Sequence, residues 1–349
     1  MNDIREIRPL IDETLMSYLY RSLQTHDNRY YAIHKTIKQI DMFWSDSSDR
    51  DYYPASSLLE LASIALECSP ASIESLTVPN AWLLISDRRD RKCYCAACVF
   101  SDVSSGRHPS WRKQWDGFES ISCPMHGLTM AAIPDTYLRY DKARVAYSNA
   151  CIEYEVLQRD EFVSKRGSPP ALRNTAGAWT CLWQFSRHVQ VWINLSRTRN
   201  YIVGGVFQGL TWHDCDTMLR CILALSLRGH THYHEQRCLV SRIFNNYTIY
   251  NPSMRTLDGG KKLAQGLMAS NLSARMLGLI MLGIYCQFFS KSQLYFLEKI
   301  CAKLRFSLPN SLHDLKSALL LSDVTDYDSL LASAKKTWPT RGAFYWSSL

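Results

Sequence analysis

The chain has 349 residues, 46% of them hydrophobic and 21% charged, with a formal net charge of +8 and 12 cysteines. That length fits two or three domains and the composition is globular, which excludes a collagen-like repeat, a coiled coil or a long disordered tail as the main architecture. The mild positive charge permits a polyanionic partner without demanding one.

The opening MNDIREIRPLIDETL has no apolar stretch after a basic start. No secretory signal is read, and the thiols are expected to be reduced in a cytoplasmic protein. Asp12 stands where a helix cap belongs. Leu15, Tyr18, Leu19 and Leu23 follow on one face, at i, i+3, i+4 and i+8. A second helical segment runs through Tyr31, Ile33, Ile37 and Ile40. Residues 45–54 read as a polar linker, and 57–67 as an amphipathic helix with Leu58, Leu59, Leu61, Ala62, Ala65 and Leu66. Ser69 caps the next helix, Pro70 takes its first position, and the helix carries Ile73 and Leu76. Two short helices around a tight polar turn make a helix-turn-helix-like pattern, so residues 1–86 are read as an N-terminal helical domain.

Residues 87–130 differ in character. Cys95-Ala96-Ala97-Cys98 and Cys123-Pro124-Met125-His126 each hold two residues between two metal-ligating side chains. That spacing lets one tight turn aim both ligands at one ion. Two such turns complete a tetrahedral site of three thiolates and one imidazole, a donor set that selects Zn²⁺ over Mg²⁺ or Ca²⁺. A shell closed by four protein ligands predicts a structural zinc, with no open position for catalysis. Cys93 lies outside this spacing. The triplet His230, His232 and His234 has no Cys-x-x-Cys beside it and is read as a polar surface or loop.

Residues 131–349 read as mostly helical. The stretch 164–178, rich in Pro, Gly and Ser, reads as a loop or linker. Residues 191–210 contain apolar β-branched runs that suit strands or buried helical turns equally. The apolar run 276–289 is too short to span a bilayer and reads as a buried core helix. It is followed almost directly by a helix with Ser290 and Ser292 as candidate caps. The fold class expected is mainly α: an N-terminal helix-turn-helix-like domain, a zinc-finger segment and a C-terminal helical region.

No phosphate-binding loop, dinucleotide fingerprint, zinc-protease or serine-hydrolase motif is present. A binding or adaptor protein is therefore favoured over an enzyme. Arg88, Arg89, Arg91 and Lys92 precede the Cys/His segment. Lys335, Lys336 and Arg341 are interleaved with Trp338, Tyr345 and Trp346. Both groups are candidate nucleic-acid contacts, joining phosphate-binding cations to stacking rings.

In order along the chain, Pro9, Asp12-Glu13-Thr14-Leu15-Met16-Ser17-Tyr18-Leu19-Tyr20-Arg21, Leu58 to Leu66, Leu76-Thr77-Val78, Cys95-x-x-Cys98, Trp111-Arg112 and Cys123-Pro124-Met125-His126-Gly127 resemble the TniQ family. TniQ proteins are the targeting adaptors of Tn7-like transposons and are related to the TnsD target selectors. The resemblance covers residues 9–130. Ala96 stands where the family usually has proline. The resemblance implies a bacterial, non-enzymatic adaptor that docks, as a homodimer, on an RNA-guided Cascade complex of Cas proteins and crRNA. It further implies recruitment of an AAA+ transposition regulator, and with it the transposase, to target DNA. The alternative it implies is a TnsD-like protein that reads an attachment site in DNA directly.

Overall fold

The computed structural model describes residues 8–25, 49–85, 91–133, 141–152, 170–227, 272–304 and 308. The architecture is mainly helical, as the sequence pattern predicts. Two compact units are present, one comprising Met1–Leu84 and Arg91–Lys165, the other Ile85–Asp90 and Arg166–Leu349. The N-terminal helices and the Cys/His segment thus share a unit.

The first unit contains α1 (Leu15–Thr25), α2 (Ser56–Leu66), α3 (Pro70–Ser75), β1 (Cys93–Tyr94), α4 (Ala96–Ser104), a 3₁₀ turn (Lys113–Asp116) and β2 (Ala131–Ala132). A further helical stretch covers 142–152. Leu15, Tyr18 and Leu19 of α1 pack with Leu58, Ala62 and Leu66 of α2 and with Ile73 and Leu76 to form one core cluster. The helical periodicity read from sequence therefore marks the buried face. Complete burial of such side chains contributes roughly 1.5–3 kcal/mol each.

The helix ends follow their chemistry. Ser69 accepts from the Ser72 amide at the start of α3, with Pro70 at the first helical position. Glu67, at φ 51°, closes α2 in the left-handed conformation, and the Glu67 and Cys68 amides return to the Ile64 and Ser63 carbonyls. Asp12 does not cap α1. It adopts φ 69°, and its carboxylate accepts from the Gln114 amide and the Asn80 side chain instead. Thr14 takes over the capping role, with its hydroxyl accepting from the Ser17 amide, and Asp51 accepts from the Met16 amide. Around Asp51, what reads as a polar linker is a tight turn closed from the Tyr53 amide to the Asp49 carbonyl, with Arg50, Asp51 and Tyr52 buried.

The second unit contains α5 (Pro170–Arg199), α6 (Trp212–Leu227), α7 (Leu272–Tyr285) and α8 (Lys291–Lys303). α7 is its centre, buried along nearly its whole length and packed on α5 and α6, while α8 packs on α5. The run 276–289 is thus the core helix expected, with its chain turning back at residues 286–289. Among the described residues no helix is long and apolar enough to cross a membrane.

Two sequence readings resolve differently here. Residues 170–178 belong to α5, since Pro170 suits a first helical position and Ala, Leu and Arg follow it. Residues 191–195 lie inside α5, whereas 201–210 form a loop. That loop needs Gly205. It sits at φ +72°, and a Cβ there would stand 2.6 Å from the Cys286 carbonyl oxygen, beside the bond that Val206 donates to the same oxygen. Ser290 caps α8 through a full capping box with Gln293.

Candidate metal centre

β1 and β2 pair antiparallel, with Cys93 opposite Ala132 and Tyr94 opposite Ala131. This short ladder clamps the start and end of the Cys/His segment together. The chain leaves β1 at Cys95, which precedes α4, and Cys98 lies in the first turn of that helix. The second ligand pair sits in a tight knuckle. The Gly127 amide donates to the Cys123 carbonyl at 2.7 Å, and the Cys123 amide donates to the Leu128 carbonyl at 2.8 Å. Gly127, at φ 65°, supplies the left-handed residue that this reversal requires.

The ligand atoms of Cys95, Cys98, Cys123 and His126 all lie within 4.8 Å of one another. His126 Nδ1 is 3.7 Å from Cys95 Sγ, 3.3 Å from Cys98 Sγ and 3.6 Å from Cys123 Sγ; Cys98 and Cys123 Sγ are 3.6 Å apart. Zn–S bonds of about 2.3 Å and Zn–N bonds of about 2.0–2.1 Å imply tetrahedron edges of about 3.8 Å between sulfurs and about 3.6 Å from sulfur to nitrogen. The four ligands therefore stand at the spacing of a tetrahedral shell and could hold one metal ion. All three cysteines are buried, while His126 is exposed, so the imidazole forms the outer wall of the centre.

Electrostatics points the same way. Hydrogen bonds from Cys95 and Cys98 push the Cys123 thiol far down, whereas proximity to Cys123 and to Cys95 pushes the Cys98 thiol up. A bound cation would favour the deprotonated form of all three sulfurs.

Of the residues that brace this centre, the sequence reading singled out Trp111 and Arg112 and missed Asp102, Trp115 and Phe118. Asp102, four residues after Cys98 on α4, is 1% exposed. It accepts from the Ser110 amide and hydroxyl, at 3.1 and 2.7 Å, and pairs with Arg112 at 2.8 Å and Arg107 at 3.3 Å. The segment after α4 is thereby folded back onto the helix that carries Cys98. Its Trp111, Trp115 and Phe118 are buried, with Trp111 and Trp115 edge to face.

This segment is in turn knitted to α1. The Trp111 amide donates to Ser17 Oγ, and the Thr14 amide donates to the Trp111 carbonyl. Glu13, fully buried, accepts from Arg21 Nε and Nη2, from Ser17 Oγ and from the Leu10 amide. A second buried group centres on Asp116, which accepts from Trp111 Nε1 and the Tyr52 hydroxyl. Burial pushes Asp116 up to about 6, against the pull of Lys142 and Arg91.

Arg91, predicted as a nucleic-acid contact, faces inward. It is 1% exposed, paired with Asp49 at 2.5 Å and stacked over Tyr52 at 4.9 Å. Its charge is needed inside the fold to offset buried carboxylates, a demand that a basic run in sequence does not reveal. Lys92 is half-buried beside it. Arg88, Arg89, Lys335, Lys336 and Arg341, as well as His230, His232 and His234, lie outside the described residues.

Fold and site together define a mainly helical protein with a zinc-finger-like Cys₃His centre built into its N-terminal unit. No family profile, curated protein or solved structure matches the chain.

Proposed function

We propose that the chain is a non-enzymatic targeting adaptor of a Tn7-like transposon, of the TniQ kind, with a structural zinc ion held by Cys95, Cys98, Cys123 and His126. In this reading it docks as a homodimer on an RNA-guided Cascade complex, contacting Cas proteins and crRNA. It then recruits the AAA+ regulator, and through it the transposase, to target DNA.

One observation carries the reading. The two stretches that bear the resemblance are about a hundred residues apart in sequence and joined in space. Glu13, Thr14, Ser17 and Arg21 of the opening motif form the buried network that holds Trp111, inside the Cys/His segment. Four protein ligands fill a tetrahedral shell, so the ion joins two knuckles and presents no open position to water or substrate. Direct site reading by the helix-turn-helix-like pair draws no support from α2 and α3. Residues 51–87 contain no Lys or Arg, and Glu60, Glu67 and Glu74 are exposed there. A DNA-reading face is expected to be basic.

The test is co-expression of the tagged chain with a Cascade complex and its crRNA encoded beside it, followed by mass and zinc analysis. Stoichiometric co-purification with about one zinc per chain is expected. Failure to co-purify, together with tight sequence-specific DNA binding by the chain alone, would overturn the adaptor reading.

A further inference from the structure

We infer that the solvent face of α8, with the adjoining edge of α5, is a binding surface for single-stranded nucleic acid. The observation is a stripe of alternating chemistry. Lys291, Tyr295, Lys299 and Lys303 recur at i+4 intervals along α8, so each stands one turn above the last on a slowly winding line. Phe296 lies beside Tyr295. These two rings are 59% and 52% exposed.

The two rings have different neighbours. Lys299 Nζ lies 4.4 Å from the centre of the Tyr295 ring, and Phe296 rests at 6.3 Å against Phe185 of α5, which in turn packs edge to face on Phe289. The capping box at Ser290 fixes where the helix starts. Phe296 is therefore a packed platform with open surface, and Tyr295 stands beside it with a cation already at its ring.

Charge completes the match. α5, against which α8 packs, carries Arg187 two residues beyond Phe185 and no Asp or Glu along its length. His188, one turn beyond Phe185, is exposed. On α8 only Glu298 opposes the three lysines. An acidic protein would satisfy the lysines and leave the rings wet. An apolar partner would cover the rings and desolvate the lysines. A single strand satisfies both at once, with phosphates at the ammonium groups and unstacked bases on the rings. Lys291 to Lys303 spans about 18 Å along the axis, the reach of about three to five nucleotides. A duplex keeps its bases stacked and gives the rings nothing to hold. This surface stands apart from the recruitment reading: the isolated chain either binds a strand here or does not, whatever complex it joins.

The experiment is fluorescence anisotropy of the full chain with a labelled mixed-sequence strand of about 16 nucleotides, as RNA and as DNA, against the same sequence as duplex. Expected are preference for the single strand, a loss of about tenfold or more in affinity for Tyr295→Ala/Phe296→Ala, and a salt slope reduced by about 0.7 for each of Lys291→Ala and Lys299→Ala. Because Phe296 touches Phe185, Tyr295→Ala alone serves as a variant that leaves that contact intact; it should weaken binding severalfold with an unchanged circular-dichroism melt. Glu298→Lys should tighten binding. The inference is overturned if the chain shows no affinity for the strand at low salt. It is equally overturned if the tyrosine and lysine variants leave affinity and salt slope unchanged, or if duplex binds as tightly with no dependence on the rings.

Discussion

Replacing Glu13 with alanine tests whether the opening motif serves as architecture. The side chain is fully buried, and its partner Arg21 is 7% exposed, with a shortest contact of 2.7 Å. Removing the carboxylate strips acceptors from Arg21, Ser17 Oγ and the Leu10 amide together, and takes from the buried guanidinium its carboxylate partner. Breaking a buried pair in this way costs about 3–5 kcal/mol, a large share of the roughly 5–15 kcal/mol that holds a domain folded. With a urea slope of about 2 kcal/mol/M, the unfolding midpoint should fall by about 2 M. The assay follows release of bound metal to a chromogenic chelator during urea titration, a readout confined to the unit that carries the Cys/His centre. Glu13→Ala/Arg21→Met should recover part of the loss, because the stranded charge is gone. A single-variant cost below about 1 kcal/mol would refute the reasoning, since that is the value of a solvent-exposed pair.

The remaining predictions concern the centre, the buried acid and the loop of the second unit. Cys123→Ser and His126→Ala should each abolish stoichiometric metal binding and expose residues 91–133 to amide exchange, because metal affinity is part of that segment's folding energy; a metal-free variant with native protection would contradict this. Asp116 titrates at about 6 in the folded state, above the roughly 3.9 of an unfolded aspartate, so its contribution to stability is complete below about pH 4 and is lost as pH rises through about 6. Relative to wild type, Asp116→Asn should therefore gain on the order of 2 kcal/mol in urea titrations between about pH 4 and pH 7, and a flat difference would count against a buried charged group. Gly205→Ala must adopt φ +72° and bring its Cβ against the Cys286 carbonyl; a loss of about 2 kcal/mol or more in thermal or urea unfolding is expected.

The apolar periodicity was legible because burial repeats with the helical turn. Leu15, Tyr18 and Leu19, Leu58 and Leu66 of α2 and most of the run at 276–289 face cores, and the Ser69 and Ser290 caps act through side chains a few residues away. The two metal knuckles were legible for the same reason, since each pair of ligands is set by one local turn. Polar residues were misread wherever their partners are distant. Asp12 looks like a cap and instead binds Gln114 and Asn80; Asp49 and Tyr52 look like linker and instead enclose Arg91; Asp102 looks like a scattered acid and instead braces the centre. A charge at low dielectric is kept only where an opposite charge or several donors meet it, and local sequence does not show that meeting. The same rule redirects the search for a polyanion surface. Basic runs in sequence are poor guides when their members neutralise buried acids, as Arg91 does, whereas lysines that stand in solvent beside exposed rings, as on α8, remain available to phosphate.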